Sequence, residues 1–139
     1  MLKKIAALAL AASMLTSSFA VAQIAPPPLR PTSLAIDGCT KTATATAGAA
    51  TLNKNSGIIT TEALSTAAAA TYTLTITNNQ ITVNDQVQVV VWFGTSTTGQ
   101  PVLLRSTPGA GNVVIILKNI DGAAAFNGTL KVGFAVLKP

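Results

Sequence analysis

The sequence contains no histidine, a single cysteine and only four acidic residues among its 139 positions. The acidic residues are Asp37, Glu62, Asp85 and Asp121. General acid–base catalysis, nucleophilic triads and zinc sites are built mainly from histidine, cysteine and carboxylate side chains. Because these are so scarce, the sequence predicts a protein that is not an enzyme and has neither a cofactor nor a catalytic metal.

A structural calcium ion is the one metal that the sequence leaves to consider. Asp85 follows Asn84, and Asp121 lies two residues after Asn119. Calcium normally takes several charged oxygen ligands, and each of these loops offers one. Asn and Asp also bond their own backbone in turns, and we interpret both pairs as turn residues.

Charged residues make up only 9% of the chain, with nine Lys and Arg against four Asp and Glu, a net charge of +5. The basic residues are scattered rather than clustered, and aromatic residues amount to 4%. Proteins that bind nucleic acid combine a basic patch with aromatic platforms for bases. The sequence therefore predicts no nucleic-acid partner.

The first 22 residues have the pattern of a secretory signal peptide. Lys3 and Lys4 precede an apolar stretch over residues 5–15, and an Ala-Val-Ala cleavage site occupies residues 20–22. No later run reaches the roughly 18 apolar residues that a spanning helix needs. We expect cleavage after Ala22 and a mature protein that is secreted or periplasmic, without stable membrane insertion.

Residues 23–39 form a proline-rich leader with four prolines and no periodic apolar pattern, which is typical of an extended arm or linker. The leader ends at Cys39, the only cysteine, so no intrachain disulfide is possible. Persistent disulfides of exported proteins come in pairs. We favour a partly buried thiol at Cys39, with an intermolecular thiol bridge as the alternative.

From residue 40 onward, short runs rich in Thr, Val and Ile alternate with Gly, Asn and Pro, which is typical of many short strands. The clearest alternation is Thr71 to Thr77, where every second residue is threonine. Residues 108–111 have the composition of a hairpin turn. The predicted strands cover residues 40–46, 50–53, 57–61, 71–77, 86–93, 101–107, 112–119 and 128–137.

This pattern predicts an all-β domain over residues 40–139, an antiparallel, jelly-roll-like β-sandwich of seven or eight strands. The alanines at positions 67–70 favour helix. A nine-residue segment, 62–70, interrupted by Ser and Thr is too short for a stable helix, so we expect a turn or two at most.

Several segments are unusually apolar for so small a domain, above all residues 86–93, which end in a continuous apolar run. Such a run indicates a central strand, buried on both faces or in contact with another chain. Monomers seldom expose large apolar patches, so we infer a closed homo-oligomer. The candidate interface residues are Val89, Val91, Trp92 and Phe93; for the two aromatic residues, core packing is an equal alternative.

Four phrases of the sequence carry a resemblance to a known group of proteins. They are GIITTEAL at 57–64, ATYTLTITN at 70–78, TPGAGNVVI at 107–115 and NGTLKVGF at 127–134. In this order they resemble small β-sandwich proteins encoded among phage and prophage structural genes, over residues 44–137. The resemblance implies a virion-surface or capsid-decoration-like module, trimeric and without enzymatic residues.

Two classes of function follow from the sequence. The first is a non-enzymatic structural or surface-interaction module that forms homo-oligomers, trimers being favoured by the resemblance. Virion proteins rarely carry signal peptides, so a bacterial exported protein that reuses the domain is the variant of this hypothesis. The second class is a carbohydrate- or surface-binding module, for which Tyr72, Trp92 and three phenylalanines are the available aromatic residues outside the signal segment.

Overall fold

The computed structural model describes residues 41–139, so the predicted signal peptide, the proline-rich leader and Cys39 lie outside the described residues. The described part contains β-strands and no helix. In chain order, the strands are β1 (Thr42–Thr44), β2 (Ala49–Thr51), β3 (Ser56–Thr60), β4 (Thr71–Thr77), β5 (Gln86–Phe93), β6 (Pro101–Gly109), β7 (Asn112–Asn119) and β8 (Leu130–Leu137). The predicted all-β fold is confirmed.

The strands form two four-stranded sheets. Sheet A has the order β1-β3-β8-β5 and sheet B the order β2-β4-β7-β6. Strands β3 and β8 pair antiparallel in one sheet, and β4 and β7 pair antiparallel in the other. Strands that lie far apart in the chain therefore pair within each sheet, which gives the β-sandwich that the sequence predicts.

Both sheets are mixed rather than purely antiparallel, a feature the sequence did not reveal. The first two strands pair parallel with their neighbours, β1 with β3 and β2 with β4. They are joined by a tight reversal at Ala47 and Gly48, both at positive φ. At this turn the chain reverses direction and passes from sheet A to sheet B. Strand β1 therefore runs parallel to β3, and β2 runs parallel to β4.

Alternation along the strands separates the core from the solvent. In β4, Leu74 and Ile76 are buried while the threonines face outward, and β7 alternates over its whole length. Burial of one aliphatic side chain contributes about 1.5–3 kcal/mol. The fully enclosed aliphatic and aromatic residues that join the two sheets are Ile59, Leu74, Ile76, Ile81, Val113, Ile115, Leu117, Phe126, Leu130 and Val132.

Two local predictions differ from the structure. Residues 86–93 form an edge strand of sheet A, not a central one. In its apolar run, Val89 and Val91 pack against the core, whereas Val90, Trp92 and Phe93 are exposed. The hairpin turn between β6 and β7 is shorter than residues 108–111, since Pro108 and Gly109 belong to β6. Proline is compatible with this position because β6 is itself an edge strand.

The alanines at 67–70 form a turn rather than a helix, and the Ala70 amide donates to the Ala67 carbonyl. The segment is held by Asn119, whose buried side-chain amide donates to the carbonyls of Thr66, Ala67 and Ala124. Within residues 41–139 there is no helix with the length and hydropathy that crossing a membrane requires.

Candidate functional site

One lateral side of the sandwich is formed by two long strands that have no outer neighbour among residues 41–139. Strand β5 ends sheet A and β6 ends sheet B. The two strands approach each other where the Ser106 hydroxyl donates to the Val87 carbonyl over 3.2 Å. We call the free sides of β5 and β6 the open edge.

The open edge collects most of the large apolar side chains that reach solvent. Seven such side chains are exposed in the part of the chain that the structure describes, and five of them belong to β5 or β6. These five, with their exposed fractions, are Val90 (65%), Trp92 (37%), Phe93 (44%), Val102 (39%) and Leu104 (58%). Native proteins usually protect sheet edges with charge, proline or short strands, and β5 has none of these protections.

The position of Trp92 depends on a glycine in the neighbouring strand. Val90 lies directly opposite Gly133 of β8. A Cβ atom added at Gly133 would lie 3.0 Å from Cζ3 and 3.2 Å from Cη2 of Trp92. The indole therefore rests on the outer face of sheet A above Gly133, with part of its surface exposed.

The four predicted interface residues divide into two kinds. Trp92 and Phe93 are exposed. Val89 and Val91 are half-buried and pack against the core, so their side chains do not form part of the exposed surface. That these residues form an interface stays a prediction.

Val90, Val102 and Leu104 are exposed but were not among the four candidate residues, although they lie in segments 87–93 and 102–104, which the sequence marks as unusually apolar. A signal for Val90 was present, because residues two apart share a face of a strand and Val90 therefore shares a face with Trp92. Val102 and Leu104 are exposed because Leu103 between them packs against the core, and the sequence does not show which of these three side chains points inward.

A groove of about 440 Å³ lies between β5 and β6 at the end of the open edge away from Trp92. Val87, Val89, Leu103, Ser106 and Pro108 contribute to its lining. Asp85, Gln86 and Gln88 complete the lining, so half of its residues are polar. Ser106 already donates to the Val87 carbonyl, and Asp85 accepts from Lys138 and the Thr82 amide. The groove therefore offers surface for contact, and its serine and its carboxylate already have hydrogen-bond partners.

Asp85 lies beside this groove and ties the end of the chain to the loop before β5. Its Oδ2 atom accepts hydrogen bonds from Lys138 Nζ at 2.6 Å and from the Thr82 amide at 2.7 Å. Lys138 also donates to the Gln80 carbonyl. The Lys138 ammonium, and secondly the Thr82 amide, hold the pKa of Asp85 below its usual range. These contacts give Asp85 a structural role.

The opposite side of the sandwich, formed by β1 and β2, contains a second group of polar side chains. Glu62 Oε1 accepts a hydrogen bond of 2.9 Å from the amide of Gly48 in the crossing turn. Glu62 Oε2 and the Tyr72 hydroxyl are buried and have no hydrogen-bond partner among the described residues. Burial, and secondly the charge of Glu62, raise the pKa of Tyr72 above its usual range.

The second Asn and Asp pair also makes turn contacts. Asp121 Oδ1 accepts hydrogen bonds from the amides of Ala123 and Ala124. The Ala124 amide, followed by the Ala123 amide, lowers the pKa of Asp121. Over residues 41–139, no three His, Cys, Asp or Glu side chains lie close enough together to hold a metal ion.

Comparisons with protein-family models, with curated proteins and with solved structures find no match to this chain. The exposed residues of the open edge are therefore the feature of the described chain that bears on function.

Proposed function

We propose that this protein is a non-enzymatic structural or surface-interaction module that is exported and associates with copies of itself through the open edge. The observation that carries the proposal is the concentration of five of the seven exposed large apolar side chains on β5 and β6. An apolar edge of this length invites pairing or aggregation unless a partner covers it. Self-association is the simplest way for an exported domain to cover it.

The chemistry of the rest of the described surface supports a structural role over an enzymatic one. The buried or partly buried carboxylates at positions 62, 85 and 121 accept hydrogen bonds from backbone amides or from Lys138. Each thus stabilises a turn or the chain end. A virion decoration-like role, as the resemblance implies, and a bacterial surface role are two settings for the same self-associating module.

Sedimentation velocity on the mature protein, with and without reductant, tests self-association. We expect a discrete oligomer whose mass is a multiple of the chain mass and does not change with reductant. A dimer that dissociates in reductant would instead assign the association to Cys39. A monomer at all concentrations would contradict the proposal.

Val90→Lys places a charge in the middle of the exposed apolar surface of β5 and is expected to make the protein monomeric. Desolvating an unpaired ammonium in an apolar interface is strongly unfavourable. Thr73→Lys is the matched control, because Thr73 is exposed on the outer face of sheet B, away from the open edge. The control variant is expected to keep the oligomer, and circular dichroism checks that both variants fold.

A second candidate function is carbohydrate binding by the outer face of sheet A. The observation that favours it is the indole of Trp92 lying on Gly133 with 37% of the residue exposed. Such a ring is a suitable platform for the apolar face of a sugar. A glycan array probed with the mature protein tests this function, and the absence of binding to every glycan would remove it.

A further inference from the structure

The backbone of β5 has donors and acceptors directed away from its sheet. The Gly94 amide donates to the Thr129 carbonyl, so the even-numbered residues that continue β5 bond towards the β8 side. The Val87 carbonyl accepts from Ser106 of the other sheet, so odd-numbered residues point outward, as alternation in a strand requires. The N–H and C=O groups of Val89, Val91 and Phe93 therefore face the free side of sheet A.

The four predicted interface residues can therefore contribute to pairing in two ways, through their peptide groups or through their side chains. Val89 and Val91 direct their side chains inward but their peptide groups outward. Trp92 and Val90 bond to β8 and direct their side chains to the outer face. One short segment thus offers a complete strand-pairing surface, with backbone hydrogen bonds from one set of residues and apolar contacts from the other.

The charge of this segment is compatible with a second copy of itself. Residues 86–93 contain no charged residue, no proline and no glycine. Lysine, proline and inward-pointing charge are the usual protections against edge-to-edge pairing. Two β5 strands can therefore approach without like charges meeting and without a missing N–H in the ladder.

The apolar area that pairing through β5 would bury is small. It comes from Val90, Trp92 and Phe93, because Val102 and Leu104 belong to β6 of the other sheet. These three side chains present roughly 250–300 Å² on each copy, given that a whole aromatic side chain buries 150–250 Å². Two copies would bury about 500–600 Å² before the backbone is counted, below the roughly 1,200 Å² of stable interfaces, so we expect a dimer that dissociates on dilution.

We propose that two copies of this protein pair antiparallel through β5 about a twofold axis at Val91, joining two A sheets into one sheet of eight strands. Val91 then faces Val91 of the second copy, and Val89 faces Phe93, so that all six outward peptide groups form hydrogen bonds. On the outer face, Val90 packs against Trp92 of the other copy. This inference rests on the proposed self-association and specifies how it occurs: as a dimer, not the trimer that the resemblance implies.

Val91→Pro tests the pairing because it removes one outward N–H and leaves the bonds to β8 in place. Proline is tolerated in edge strands when its nitrogen faces solvent. We expect a folded protein whose dimer dissociation constant rises at least about tenfold, since the two copies lose a pair of hydrogen bonds at the axis. Val91→Ala is the matched control, because it keeps the outward N–H and changes a side chain that packs against the core. It should lower the free energy of unfolding and leave the dimer dissociation constant unchanged.

Cross-linking gives a second readout that does not depend on the proline variant folding. Val90→Cys is combined with Cys39→Ser and treated with a short bifunctional thiol reagent. Diagonal residues across the axis lie about 7–8 Å apart, so we expect an efficient covalent dimer. Thr73→Cys in the same background is the control and should remain uncross-linked.

The outcomes separate this inference from the proposed function. A wild-type dimer that is weakened by Val91→Pro and cross-linked at position 90 supports it. A wild-type oligomer that is unaffected by Val91→Pro and is not cross-linked overturns strand pairing while self-association stands. A mass of three chains overturns the twofold arrangement. A monomer whose amides at 89 and 91 resist hydrogen exchange overturns both, because another segment of the same chain would then cover β5.

Discussion

The two lateral sides of this sandwich both consist of sheet edges, and they differ in how well those edges are protected from pairing with another chain. On one side, β1 and β2 are three residues each, carry Thr and Ala, and are joined by a two-residue crossing turn. On the other side, β5 and β6 are eight and nine residues long and contact each other along the groove and through the Ser106 hydroxyl. Short strands protect the first side, whereas on the second β6 contains Pro101, Arg105 and Pro108 and β5 contains neither charge nor proline.

The two sides differ in the pairing surface that they offer to another chain. Short edges with small polar side chains offer too few free peptide groups for pairing. The proposed self-association would therefore use the β5 and β6 side. An interface confined to one edge gives closed assemblies when the same surface meets itself.

The largest expected change in the free energy of unfolding comes from a substitution at Gly48, in the crossing turn of the β1 and β2 side. Gly48 has a φ of +74° and a Cβ there would lie 2.7 Å from the Thr73 carbonyl oxygen. Gly48→Ala should lower the free energy of unfolding by about 2–4 kcal/mol, the sum of left-handed strain and the clash. Urea unfolding at pH 7 measures the change.

Gly111→Ala is the matched control for this variant. Gly111 has a φ of +80° and no atom within 4 Å of an added Cβ. It should cost only the left-handed conformation, about 1–2 kcal/mol. Equal losses in the two variants would show that the crossing turn has no special role in closing this side.

A smaller effect on stability, seen at acid pH, is expected beside the open edge, where the Lys138–Asp85 ion pair holds the chain end. The folded state holds the pKa of Asp85 below its usual value. The contribution of this carboxylate is therefore complete above pH about 4 and is lost as the pH falls through the lower folded pKa. Asp85→Asn should reduce the loss of stability on acidification, measured by urea unfolding from pH 6 to pH 2.

Lys138→Met should reduce the acid dependence in the same way, because it removes the cation that lowers the pKa of Asp85. Lys131→Met serves as the control, since Lys131 is an exposed residue of β8, the strand that Lys138 follows. If stability falls equally with pH in wild type and Asp85→Asn, the acid dependence does not come from the Asp85 carboxylate. Asp121, whose pKa is also lowered, is expected to account for the acid dependence that remains.

The smallest expected effect is a loss of stability at alkaline pH that depends on Tyr72, on the β1 and β2 side. The folded state raises the pKa of Tyr72, so its contribution is complete below pH about 10 and is lost as the pH rises above this value. Tyr72→Phe should therefore lose less stability between pH 9 and pH 11 than wild type. Thermal unfolding followed at both pH values measures the difference, and an unchanged alkaline loss would contradict it.

Much of the fold could be predicted because alternation is a local signal. The bounds of β4, β5 and β7 match the predicted strands at residues 71–77, 86–93 and 112–119. The predicted strand at residues 40–46 is shorter in the structure, since Ala45 is buried and Thr46 already forms a bridge with Ala49 across the turn. The last strand begins at Leu130, and Gly128 instead bridges to Leu64.

The candidate site was harder to predict because its defining property is the lack of a neighbour. The apolar run at Val89–Phe93 has the composition of a central strand, and only its place at the end of sheet A exposes Trp92 and Phe93. Leu104 is exposed beside an irregularity in the pairing of β6 with β7, between Leu103 and Arg105. Such a bulge shifts which side chains face outward, and no pattern in the sequence marks it.

The sequence by itself determined that this chain forms short strands around a Val-, Ile- and Leu-rich core, since side-chain alternation and turn residues act over a few positions. It also determined that histidine-based chemistry is excluded, because the chain contains no histidine. Only the tertiary structure decided which strands lie at the edges and which peptide groups remain free. Strand order depends on contacts between residues far apart in the chain, and within the described part of the chain those contacts leave the edge of β5 without an outer partner.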